Sequence, residues 1–214
     1  MDRYIESHSE TFMAAPFPQG GLVIGITGGT GSGKTTLLNC IRAAGGLILD
    51  CDAIYHQLLK TDRAMLCAID ARFPGTVEAG VLDRKKLGSI VFSDPAALAD
   101  LNAITHAAVK QEVLNRLDTK PSLTAIDAIG LFEGGLAELC HMTVAVIAPI
   151  EDRVLRLMAR DGISEEYARS RIAAQHEDSW FRQCCTVTLE NDSTLDAFTT
   201  KCLAFLKDIG IIIM

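Results

Sequence analysis

The chain has 214 residues, 49% of them hydrophobic, and a formal net charge of −7. That length suits one α/β domain with a sizeable core, and the acidic balance, with a pI near 5.2, argues against nucleic-acid binding through a general basic surface while leaving room for a local cationic pocket. Seven scattered cysteines without C-x-x-C spacing point to reduced cytosolic thiols, not to a disulfide framework or a zinc site, and no apolar run approaches the ~20 residues that span a bilayer.

In chain order, MDRYIESHSETFMAAPFPQG lacks the basic start and apolar run of a signal peptide, and its prolines and glycines read as a flexible extension over residues 1–20. Leu22 to Thr27 is short, apolar and β-branched, as a buried strand of a parallel sheet should be. Four of the next six residues are glycine, and TTLLNCIRAA beyond them reads as a helix with Leu37, Leu38 and Ile41 on one face. Between strand and helix lies Gly28-x-x-x-x-Gly33-Lys34-Thr35, which fits the phosphate-binding loop at every fixed position. Glycines there let successive backbone N–H groups converge on a polyanion at a helix N-terminus. Lys34 would reach the β and γ phosphates, and the Thr35 hydroxyl would hold Mg²⁺.

Gly45-Gly46 stops the first helix, and Leu47 to Asp50 forms a second short strand. Asp50-Cys51-Asp52 follows at the strand end that faces the phosphate loop. A carboxylate there can accept the proton of an attacking hydroxyl, and it can equally cap the following helix. The balance favours chemistry for Asp52 and capping for Asp50. His56 stands one helical turn beyond Asp52 and is placed to face the same cleft, though an ordinary half-buried histidine fits as well.

Residues 53–120 contain no convincing strand and read as a helical insertion for a second substrate, including a long helix over Pro95 to Leu117 that carries His106. Further strands are expected at Leu123 to Asp127, Met142 to Ala148 and Thr186 to Glu190, and helices at Ile150 to Arg160, Ser164 to Asp178 and Leu195 to Asp208. Asp127, at the end of LTAID, suits either a second acidic group near Mg²⁺ or a plain strand-end turn. Residues 152–182 are rich in arginine and read as a lid, in which Arg156 and Arg160 share a helix face and could present two guanidinium groups to phosphate. Phe12, Phe17, Trp180 and Phe181 form no ladder for stacking bases. The fold expected is a doubly wound α/β sheet of five parallel strands of the P-loop NTPase type. Its core comprises 21–52, 121–151 and 183–214, with the ligand beyond the C-terminal strand ends.

GITGGTGSGKTT, ILDCDAIYH, VLDRKKLGSIVF, LNAITH, LFE, RLMARDG and RIAAQ, in this order, resemble the dephospho-CoA kinase family over about residues 22 to 191. The phosphate loop alone is shared by many kinases. The segments after residue 50 are far more specific because they are spread along the chain. The resemblance implies phosphorylation of the ribose 3′-hydroxyl of dephospho-CoA by MgATP in the cytoplasm, by a monomer or weak homo-oligomer, with neither nucleic acid nor membrane as partner. It implies that Gly29, Gly31, Ser32, Gly33, Lys34, Thr35 and Thr36 bind the ATP phosphates together with Arg156 and Arg160. Asp52 would activate the acceptor hydroxyl, with His56, His106 and Gln175 beside the acceptor, and Thr35 and Asp127 at the metal. The pattern is departed from at Ala107, where a proline is usual, at Ile129-Gly130 in place of Pro-Leu, and at His141 and Cys185 in place of aspartates. Two other readings stay open: a P-loop kinase for another small metabolite or nucleoside, and a nucleotide-driven switch ATPase.

Overall fold

Strand β1 (Leu22–Thr27) is buried along its whole length and lies in the middle of a five-stranded parallel sheet. The computed structural model describes residues 21–211, so the expected extension over 1–20, with Phe12 and Phe17, lies outside the described residues. Helix α1 (Lys34–Ala43) and strand β2 (Leu47–Asp50) come next, followed by α2 (Cys51–Thr61) and α3 (Arg63–Arg72). A hairpin of β3 (Val77–Glu78) and β4 (Val81–Leu82) precedes α4 (Arg84–Val91) and the long α5 (Pro95–Leu117). The chain then alternates through β5 (Leu123–Asp127), β6 (Met142–Ile147), α6 (Ile150–Asp161), α7 (Glu165–Ala173), α8 (Asp178–Cys184), β7 (Val187–Glu190) and α9 (Leu195–Asp208).

The sheet order is β2-β5-β1-β6-β7, with every neighbouring pair parallel. From β1 the chain crosses to the edge strand β2, returns through β5 between them, and then adds β6 and β7 on the other side of β1, so the five strands are doubly wound as the alternating pattern predicts. Strand β1 feeds both faces. Ile24 and Ile26 pack with Leu37 and Ile41 of α1 and with Phe198, Cys202 and Leu206 of α9, which recur every four residues on one stripe. Val23, with Leu49 and Ile126, packs on the other face against α2 to α5. A Cβ on Gly25 would come within 2.8 Å of both Cys140 Sγ and Leu131 Cδ2, so any side chain there would have to push those two aside.

Sequence-local signals set most helix starts. Asp62, Asp83, Ser164 and Thr194 each accept a backbone N–H from the first turn of the helix that follows, and Asp94 does so twice ahead of Pro95. Helices α2, α3 and α4 all pack on α5, which makes residues 53–120 a helical layer over one face of the sheet.

Two expectations need correction. Residues 53–120 do hold strands, the two-residue pair β3 and β4, joined by Ala79 and Gly80 at φ 49° and 80°; consecutive positive φ values form a tight hairpin turn whose arms are too short to show alternation. The single helix expected over Ser164 to Asp178 ends at Ala173, and a separate helix α8 begins at Asp178. Between them Gln175 and His176 are taken up by contacts with distant segments.

Candidate active site

The phosphate loop runs from the C-terminal end of β1 into α1. Gly28, Gly31 and Gly33 have φ of 133°, 76° and 100°, values that side chains resist. The loop is also gripped from behind. A Cβ on Gly28 would strike the Val146 carbonyl, one on Gly29 the Arg153 guanidinium, and one on Gly33 the Asn191 amide. Arg153, only 3% exposed, donates from Nε to Thr30 O at 2.9 Å, and Asn191 Nδ2 donates to Ser32 O at 2.8 Å. Gln175 Oε1 accepts from Thr30 N at 2.7 Å. Neither Arg153 nor Asn191 was singled out from the sequence. The available signal is position, since Asn191 directly follows the C-terminal end of β7, where parallel sheets place ligands.

In front of the loop opens a cavity of about 660 Å³ lined by Thr30 to Thr35, Asp50, Asp52, Asp127, Arg156, Arg160 and Arg171. Lys34, Asp52, Arg156, Arg160, Thr35 and Asp127 are thus brought together. Gly29 and Thr36 are not part of the lining: Gly29 backs onto Arg153, and the Thr36 N–H closes the first turn of α1 on Gly33 O at 3.0 Å. Lys34 Nζ donates to Gly28 O at 2.8 Å. Burial draws its ammonium below the ordinary lysine range, and the carboxylates of Asp127 and Asp52 work against that shift. Burial raises the Asp127 carboxyl to about 6, with Lys34 opposing and Asp50 and Asp52 adding to the rise.

The capping question at the end of β2 has a definite answer. Asp50 is the N-cap of α2, accepting from Ala53 N at 2.9 Å, and Asp52 sits in the first turn without the capping role. Asp52 also lines a second cavity of about 260 Å³, with Cys51, Tyr55, Asn102, Thr105, His106 and the loop from Ala128 to Leu136. Asp52, Ala128 and Ile129 line both cavities, so the two lie side by side with that carboxylate in their common wall. His106 reaches this second cavity. His56 lines neither; its Nδ1 turns back onto Asp52 O at 2.8 Å, and the neighbouring Tyr55 takes the place in the wall. Gln175 likewise lies against the phosphate loop and outside the second cavity. Burial, reinforced by Asp127, Asp50 and Asp52, pushes the Cys51 thiol up to about 12, so it is no nucleophile at neutral pH.

Arg156 Nη1 donates to Gly31 O at 3.2 Å and Ser32 O at 3.3 Å. Arg160 and Arg171 both hold Asp161, at 2.7 Å each. Arg171 is a third guanidinium on the cavity wall, noted in the sequence only as one of the lid arginines. Of the departures from the family pattern, Ala107 is exposed, and Ile129 lines both cavities and accepts from Thr27 Oγ1 at 3.1 Å. His141 fixes the start of β1 by accepting from Val23 N at 3.0 Å on Nδ1. Burial lifts the half-buried Cys185 thiol to about 11.

A family model described as dephospho-CoA kinase matches residues 22–197. The dephospho-CoA kinase of Thermus thermophilus is 37% identical over 191 residues, covering 88% of this chain and 92% of that protein. That of Deinococcus radiodurans is 36% identical, with 88% and 92% covered. Among solved structures, TT1252 from Thermus thermophilus superposes with a TM-score of 0.74 at 35% identity, covering 88% of this chain and 97% of that one. The shikimate kinase of Bacteroides thetaiotaomicron, at 15% identity and a TM-score of 0.53, shares the fold, with 87% and 98% covered. The chain belongs to the dephospho-CoA kinase family.

Proposed function

We infer that this protein transfers the γ-phosphoryl group of ATP to the ribose 3′-hydroxyl of dephospho-CoA, giving coenzyme A and ADP. The observation that carries the residue-level reading is that Asp52 lines both cavities. The larger cavity takes the ATP phosphates against Gly31, Ser32, Gly33 and Lys34, and the smaller takes the acceptor against Tyr55, Asn102 and His106. Asp52 then accepts the proton of the acceptor hydroxyl as its oxygen bonds to the γ-phosphorus and the bond to the β–γ bridging oxygen breaks. Lys34, Arg156 and Arg160 hold the phosphoryl oxygens in line, so positioning and charge stabilisation supply most of the catalysis.

The donors available for Mg²⁺ are the exposed Thr35 hydroxyl and the Asp127 carboxylate, hard oxygens of the kind that ion takes. Among the described residues no three His, Cys, Asp or Glu side chains converge as a metal site of their own. That fits an ion held by one or two protein oxygens and completed by nucleotide phosphates. Bound there, Mg²⁺ would neutralise charge on the β and γ phosphates. No helix among the described residues is long and apolar enough to cross a membrane. The reading places the enzyme in the cytoplasm, as a monomer or weak homo-oligomer.

The test is to incubate the protein with MgATP, with and without dephospho-CoA, and to follow ADP and coenzyme A together. Equal amounts of the two products, formed only with the acceptor, are expected. ADP release indifferent to dephospho-CoA, with no coenzyme A, would instead mark a switch ATPase.

A further inference from the structure

The link between α7 and α8 carries two consecutive side chains that hold different parts of the site. Gln175 Oε1 accepts from Thr30 N at 2.7 Å and from Arg153 Nη2 at 3.4 Å, and so ties the link to the phosphate loop. His176 Nε2 lies 2.8 Å from Glu133 Oε1, on the loop that walls the second cavity with Gly130, Gly134 and Leu136. The imidazole is stacked on Trp180 at 3.8 Å and 12°. Trp180 in turn meets Phe132 edge to face at 5.4 Å. Two neighbours on the link side, His176 and Trp180, therefore grip two neighbours on the cavity loop, Phe132 and Glu133. An exposed polar contact by itself contributes little to stability. This one has its ring plane fixed by stacking, and it is joined through a single peptide bond to the residue that holds Thr30.

We propose that His176 is a positioning residue that couples the two substrate sites, so that an acceptor settling the loop from Ala128 to Leu136 tightens nucleotide binding at the phosphate loop. His176 lines neither cavity. It acts through Glu133 on one side and, through Gln175, on Thr30 on the other. The proposal rests on the second cavity being the acceptor site. Coupling of this kind is reciprocal, so nucleotide tightens acceptor binding by the same factor.

The experiment is a calorimetric titration of a non-hydrolysable ATP analogue with Mg²⁺, with and without saturating dephospho-CoA, on the parent, His176→Ala, Glu133→Ala and the double variant. In the parent the acceptor should tighten nucleotide binding about fivefold, the lower end of typical couplings. In each single variant the factor should fall to within about twofold of one, while nucleotide affinity without acceptor moves by less than about twofold, as suits loss of an exposed pair. The double variant should be no worse than either single, because both act through one contact. Glu133→Gln, which keeps an acceptor for Nε2–H, should restore most of the coupling.

A parent whose ligands bind independently would overturn the proposal, as would coupling unchanged in both single variants. Equal losses with and without acceptor would overturn it too, since His176 would then only support the fold. Failure of the same parent preparation to phosphorylate dephospho-CoA would overturn the acceptor reading, and this proposal with it.

Discussion

Asp50 and Asp127 end neighbouring parallel strands as partners in register, and the two carboxylates diverge in role: one caps α2 and the other faces Lys34. The Asp127 carboxyl, ordinarily near 3.8, stands at about 6 in the folded protein because burial outweighs the help of Lys34. Between those values the native state keeps a proton that the unfolded chain has released. The stability this group contributes is therefore present at low pH and is lost as the pH rises through about 6. Asp127→Asn stays neutral throughout. In metal-free protein its melting temperature should match the parent's near pH 4 and exceed it by pH 7, a gap that opens between 3.8 and about 6. Thermal melts across that range check this, and a constant or shrinking gap contradicts it.

Arg153 is a buried guanidinium that fastens the phosphate loop, donating to Thr30 O and lying 3.6 Å from Asp178. Arg153→Ala strands the Thr30 carbonyl and removes the group packed against Gly29. The loss should be about 2–3 kcal/mol in urea unfolding, the scale of buried hydrogen bonds to a charged group. ATP affinity should fall as well, because the loop loses its support. A variant as stable as the parent would show that Gln175 and Asn191 hold the loop without it.

Arg156 joins the loop carbonyls of Gly31 and Ser32 to the cavity, so its guanidinium has two tasks: steadying the loop and meeting phosphate. Arg156→Lys keeps the charge and loses the planar fork. Turnover at saturating ATP and acceptor should drop by about tenfold or more, the scale of a lost charge-assisted bond or two. Matching turnover would leave Arg156 a surface charge and pass its role to Arg160 or Arg171.

The sheet was legible because its strands are short apolar runs alternating with amphipathic helices, and the phosphate loop because glycine spacing there serves local backbone geometry. Lys34, Thr35, Asp52, Arg156 and Arg160 follow from that same local logic. What escaped the sequence is held by distant contacts. Arg153 meets Thr30 across 123 positions and Asn191 meets Ser32 across 159, and neither pairing leaves a periodic trace. The break between α7 and α8 is of the same kind, since the helix-compatible run stops where Gln175 and His176 are drawn to Thr30 and Glu133. His56 stays out of both cavity walls for a local reason: one turn from Asp52 is close enough to bond back to that residue's own carbonyl.

The most direct test of the account is Asp52→Asn, with the rate of coenzyme A formation and the affinity for MgATP measured on one preparation. Asp50 is the cap of α2, so the substitution should leave the fold unchanged. It removes only the negative charge that makes residue 52 a base. The account predicts turnover lower by roughly 10²-fold or more, the usual scale for a positioned acid or base, with ATP affinity little changed. Turnover near the parent's would contradict a catalytic Asp52, and equal losses of turnover and ATP affinity would place that carboxylate on the metal side of the site.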